Sequence, residues 1–75
     1  MITDATLRNW FTYHPPTPEQ AVAYTAIREA ALGLARVVLN CTPEGADQSA
    51  ALRKIREAVM TANAAIACAS GDKEP

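Results

Sequence analysis

Cysteine, aromatic residues and net charge are all scarce in this chain, and each shortage removes a class of protein. Two cysteines, Cys41 and Cys68, are too few for a disulfide framework, and no His/Cys cluster stands beside them to make a zinc site. Seven Lys/Arg against eight Asp/Glu leave a formal charge of −1, so there is no polybasic field for a DNA or RNA polymer or for an anionic membrane. No apolar run approaches the roughly 20 residues of a membrane span. Met1-Ile2-Thr3-Asp4 has neither a basic n-region nor an apolar h-region, so no signal peptide is expected. The one histidine is His14, with no carboxylate pair, Cys/His pair or glycine-rich phosphate loop at a useful spacing. Neither enzymatic activity nor a cofactor is expected.

What remains is alanine. Apolar residues make up 49 % of the 75, sixteen of them alanine, and only Trp10, Phe11, Tyr13 and Tyr24 are aromatic. Alanine is the strongest helix former and lets backbones approach closely, which predicts an all-α chain with tightly apposed helices. A chain this short makes one domain, residues 1–75, and buries only about 60 % of its unfolded surface. With no metal or disulfide to staple it, a second copy of the chain is expected.

The punctuation predicts an antiparallel two-helix hairpin preceded by a short helix. Thr3 can cap a helical turn from Asp4 to Asn9. The Pro15-Pro16 pair then biases its neighbours towards extended geometry, making an arm that ends at residue 16. Thr17-Pro18-Glu19-Gln20 carries N-cap, N1 proline and capping-box glutamine, so a helix is predicted over about 17–40. Tyr24, Ile27, Ala31, Leu34 and Val38 form its apolar stripe. A turn is predicted over 41–47, around Pro43 and Gly45. The second helix is predicted over about 48–69, with Asp47 or Ser49 as cap and Leu52, Ile55, Val59, Ala62 and Ile66 as stripe. Ala51, Ala58 and Ala65 add a small-residue face suited to contact with another subunit, and 70–75 reads as a polar tail. A lone hairpin cannot enclose a core, so oligomerisation completes the bundle. The two cysteines fall at opposite ends of this hairpin, roughly 30 Å apart, which excludes an internal disulfide.

Four places carry candidate chemistry. In Phe11-Thr12-Tyr13-His14-Pro15-Pro16 an aromatic and an imidazole stand just before a helix N-terminus, where a base can stack and phosphate can meet donors. The same segment can instead be a rigid arm that packs Tyr13 on the hairpin while its prolines set the helix entry angle. Arg28 flanks the first stripe, either solvated and paired with Glu29 or Glu57 or presenting its planar fork to a phosphate. Arg53, Lys54 and Arg56 form a basic turn that reads as a solvated face, with Glu57 four residues past Arg53. Asn63 is a polar amide beside the second stripe, open to an interface bond or a ligand.

Together, the Phe11–Pro16 motif, Glu19-Gln20, Tyr24, Ile27-Arg28 and the closing Ala58-Val59-Met60-x-Ala62-Asn63-Ala64-Ala65-Ile66-Ala67 resemble the small phage anti-CBASS cyclic-nucleotide sponges. Their helical-hairpin domain is shared with phage anti-Thoeris sponges, and the resemblance runs from about residue 10 to 69. It implies a phage protein acting in the cytoplasm of the infected bacterial host. Such a protein sequesters cyclic oligonucleotide messengers, cyclic dinucleotides such as 3′,3′-cGAMP among them, without cleaving them. It also implies a compact homohexamer with dinucleotide pockets between paired protomers, and separate cyclic trinucleotide sites in many members. By position, Tyr13 matches the family's base-stacking tyrosine and Arg28 its phosphate-facing cation. Thr12 and His14 flank that tyrosine, and Phe11 and Asn63 complete the candidate set. Where the family commonly closes its second motif with an arginine for the trinucleotide, this chain has Cys68. A thiol makes no charge-assisted bond to phosphate. The competing expectation, from a different class, is a structural or protein-binding oligomeric bundle with no small-molecule ligand.

Overall fold

The structure, a computed structural model, describes residues 1–72, with side chains through residue 69. Those residues form three helices: α1 (Asp4–Trp10), α2 (Pro18–Cys41) and α3 (Ala46–Asp72). No strand occurs among the described residues. The particle measures 48 × 29 × 16 Å, the shape of one hairpin with a short helix laid on it.

Each helix start has an identifiable cause. The Thr17 hydroxyl accepts from the Gln20 N–H at 3.1 Å, and the Gln20 carboxamide accepts from the Thr17 N–H at 3.0 Å. Gln20 then uses its NH2 to donate to the Ile66 carbonyl at 3.3 Å, tying the beginning of α2 to the far end of α3. Thr3 and Thr6 make the equivalent reciprocal pair at the start of α1. Helix α3 begins earlier than the predicted caps allow. The Ser49 N–H donates to the Gly45 carbonyl at 3.1 Å, so Asp47 and Ser49 lie inside the helix, with Asp47 in its first turn against the dipole. The turn itself is clasped by Gln48, whose NH2 reaches the Leu39 and Thr42 carbonyls at 3.2 and 3.1 Å.

Packing of α2 on α3 buries the two predicted stripes only in part. Leu52, Ile55, Val59, Ala62 and Ile66 are all half-buried, while on α2 Leu34 is exposed and its four stripe companions are half-buried. Cys68 is the single buried hydrophobic residue among those described, at 8 % exposure. Helix α1 packs on the end of α3, where Trp10 shares a groove with Thr61, Ala64, Ala65 and Cys68. Part of the alanine face is therefore occupied by this chain's own tryptophan. Cys41 and Cys68 are both free thiols.

The surface accounts for why so little is buried. The protomer exposes 6031 Å², against about 4,450 Å² expected for a compact monomer of its mass. Val22, Leu32, Leu34, Val37, Leu39 and Met60 are among the exposed large apolar side chains. Helix α2 is thus apolar nearly all round, the pattern of a helix covered on more than one face.

Candidate functional site

The arm between α1 and α2 is held by carbonyls in the last turn of α1. The Thr12 hydroxyl donates to the Arg8 carbonyl, and His14 Nε2–H donates to the Asn9 carbonyl at 2.7 Å. Carbonyl oxygen only accepts, so this bond fixes His14 as the Nε2–H tautomer when neutral. Asn9 in turn donates from Nδ2 to the Cys68 carbonyl at 3.0 Å, clamping α1 to α3. Four side chains of the arm thus divide by role. Thr12 and His14 turn back on α1, while Phe11 at 83 % and Tyr13 at 81 % exposure point into solvent.

Arg28 sits elsewhere on the hairpin. It lines one flank groove of the α2–α3 seam, floored by Ala31, Ala35, Leu52, Ile55 and Val59. Its guanidinium reaches only the Thr25 hydroxyl, at a long 3.5 Å, and pairs with neither Glu29 nor Glu57. Among the described residues the one ion pair is Arg8–Asp4 at 2.8 Å, so Arg53 does not close on Glu57 either. Since Gln20 lies opposite Ile66 and the arm is anchored near Cys68, Arg28 stands about 15 Å along the hairpin from that anchor at 1.5 Å per residue. None of the grooves along the α2–α3 seam or under α1 described for the protomer is lined by both Tyr13 and Arg28.

Asn63 is half-buried, and its Oδ1 is shielded from solvent with no hydrogen-bond partner. An unpaired buried acceptor costs about 1–3 kcal/mol. No described residue of the protomer supplies the missing donor. The opposite flank of the seam is an open groove of about 460 Å³ lined by Ile27, Ala30, Ala31, Leu34, Ala58 and Val59, with Lys54 at its edge. No group of three or more metal-ligating side chains occurs among the described residues, and no described helix is long and apolar enough to cross a membrane.

Arg56, expected on a solvated face, is exposed as expected and also lines the flank groove that Arg28 lines, which its own helix did not reveal. A signal for it does exist. Ile-Arg-Glu-Ala occurs twice, at 27–30 and 55–58, once on each helix.

A family model described as the Acb2/Tad1 hairpin domain matches residues 3–67. No curated protein and no solved structure matches the chain.

Proposed function

The chain belongs to the Acb2/Tad1 hairpin family of anti-CBASS and anti-Thoeris sponges, and on that footing we propose that it binds cyclic dinucleotides such as 3′,3′-cGAMP and withholds them, uncleaved, from the effectors of a bacterial host. The observation that carries this reading is Tyr13, 81 % exposed on an arm whose neighbours are hydrogen-bonded to α1 and whose exit is braced by two prolines. A rigid arm that leaves an aromatic ring in water is a preorganised stacking surface, because little conformational entropy is lost when a base lands on it. Arg28 supplies a guanidinium with no internal counter-charge for the phosphate.

The separation of Tyr13 from Arg28 within a protomer makes the pocket a property of two chains. A two-fold pair would bring two tyrosines and two arginines around one ligand, matching the pseudo-symmetry of a cyclic dinucleotide. The protomer's excess exposed surface, roughly 1,600 Å² over a compact monomer, lies within the range that obligate interfaces take from each partner. We take a hexamer as the assembled form and the cytoplasm of the infected cell as its place of action. His14 and Thr12 serve the pocket by holding the arm, Phe11 by offering a second exposed ring beside Tyr13 in sequence, and Asn63 by receiving a donor from ligand or partner chain. Cys68 has a small thiol buried under α1 where the family's trinucleotide arginine would stand. Cyclic trinucleotides are accordingly the weaker ligands.

The test is calorimetric titration with 3′,3′-cGAMP, followed by denaturation and recovery of the ligand. Intact ligand at the expected mass supports sequestration; a linearised product refutes it. Tyr13→Ala should abolish binding while leaving the assembled mass and the melting temperature unchanged. A ligand-free structural bundle predicts instead that Tyr13 matters only through stability, and an exposed ring contributes little there.

A further inference from the structure

We propose that Arg56 is a second phosphate-binding guanidinium, acting with Arg28 of the same chain on one doubly anionic ligand. The proposal rests on the cyclic-dinucleotide reading above and extends it to a residue which that reading does not use. It starts from the repeated tetrapeptide. Ile27-Arg28-Glu29-Ala30 and Ile55-Arg56-Glu57-Ala58 lie on helices packed antiparallel. In an antiparallel pair, residues that follow a core position by one step fall on the same flank of the seam, since a two-fold axis through the seam relates them. The grooves agree with this. Arg28 and Arg56 line one flank, and Ala30 and Ala58 line the other. With Gln20 opposite Ile66, Arg28 and Arg56 come within about one helical turn of the same level.

Neither guanidinium has a carboxylate within ion-pair distance, although each is followed directly by a glutamate. One residue further is a rotation of about 100°, which turns Glu29 and Glu57 away from the flank groove. Two like charges are thereby concentrated over an apolar floor of Ala31, Ala35, Leu52 and Ile55, in a chain whose net charge is −1. An anion relieves that repulsion. An anion with two phosphates and flat apolar surface fits it best, because the guanidinium forks take the phosphates and the floor takes what is not charged.

Binding of 3′,3′-cGAMP is measured for the wild-type chain, Arg56→Ala, Arg56→Lys and Arg28→Ala across a salt series, with the assembled mass of each followed in parallel. Arg56→Ala should weaken binding about 10- to 100-fold, the loss of one charge-assisted contact, and should flatten the salt dependence because one charge fewer is screened. Arg56→Lys should recover part of the affinity, with no variant changing the assembled mass. If Arg56→Ala binds as wild type while Arg28→Ala does not, the role of Arg56 is refuted and the sponge reading stands. A changed mass in Arg56→Ala would equally refute it, assigning the residue to a carboxylate of a second copy. A wild-type chain that binds no cyclic dinucleotide overturns both readings.

Discussion

Replacing Gly33 by alanine turns the question of assembly into a question of sign. Gly33 lies in the interior of α2, where glycine costs about 0.5–1 kcal/mol relative to alanine. Neither ordinary reason for a helical glycine applies within the protomer. Its φ is not positive, and a Cβ built on it would meet nothing within 4 Å. Judged by this chain alone, Gly33→Ala should therefore raise stability, by about 2–8 °C in Tm for a domain of this size. Gly33 is, however, on the side of α2 turned away from the seam, at helical spacing from Val22 and Val37, which are 71 % and 57 % exposed. If a second chain packs its backbone there, the added methyl is overpacked at about 1–3 kcal/mol per contact, which exceeds the propensity gain. We expect the assembly to lose. The dissociation midpoint on dilution, followed by sedimentation or mass photometry, should rise about tenfold or more for Gly33→Ala, and Gly33→Leu should remain monomeric. A Gly33→Ala chain that melts higher at every concentration with an unchanged midpoint would show that this face is bare and that the glycine has no partner.

Three further outcomes follow from the local hydrogen bonds and the seam. Thr17→Ala removes the hydroxyl that accepts from the Gln20 N–H and leaves the backbone half of the capping box in place; denaturant melts should show a loss of about 0.5–2 kcal/mol. Asn9→Ala removes the clamp from α1 to the Cys68 carbonyl, so amide exchange over residues 4–11 should accelerate while that of α2 and the first half of α3 does not. Equal acceleration throughout would mean that α1 is integral to the hairpin and not docked on it. Ile55→Ala removes a half-buried seam residue common to both flank grooves and should cost about 2–4 kcal/mol by denaturant titration, at the lower end if the seam is fully hydrated in the free chain.

Local chemistry was legible from the sequence alone. The Thr17-Pro18-x-Gln20 signature specifies the start of α2 because both partners of the capping box lie three residues apart, and Thr3 specifies α1 likewise. The 3-4-3-4 stripes specify a helical hairpin because only the 3.6-residue period puts those side chains on one face. Gly45, by contrast, precedes α3 where Asp47 or Ser49 was the expected cap, since both side chains sit in a helix begun earlier by the Gly45 carbonyl.

Arrangements between segments distant in sequence needed the tertiary structure. Even over the five residues that separate them, His14 reads as a ligand group or a brace until its Nε2 is found on the Asn9 carbonyl, where the arm turns back on the end of α1. Trp10 takes up part of the alanine face that the heptad spacing offered to another subunit, because α1 folds back onto α3. Arg56 is solvated, as its own helix suggests, and only antiparallel packing sets it on the flank that Arg28 shares. The sequence by itself determined which stretches are helices and where they start, since those choices depend on neighbours within about four residues. Which charges share a groove, which aromatic stays in water and which helix face lacks a partner were decided only when α1, α2 and α3 packed. Those relations join residues 28 or more apart, whose spacing along the chain carries no distance in space.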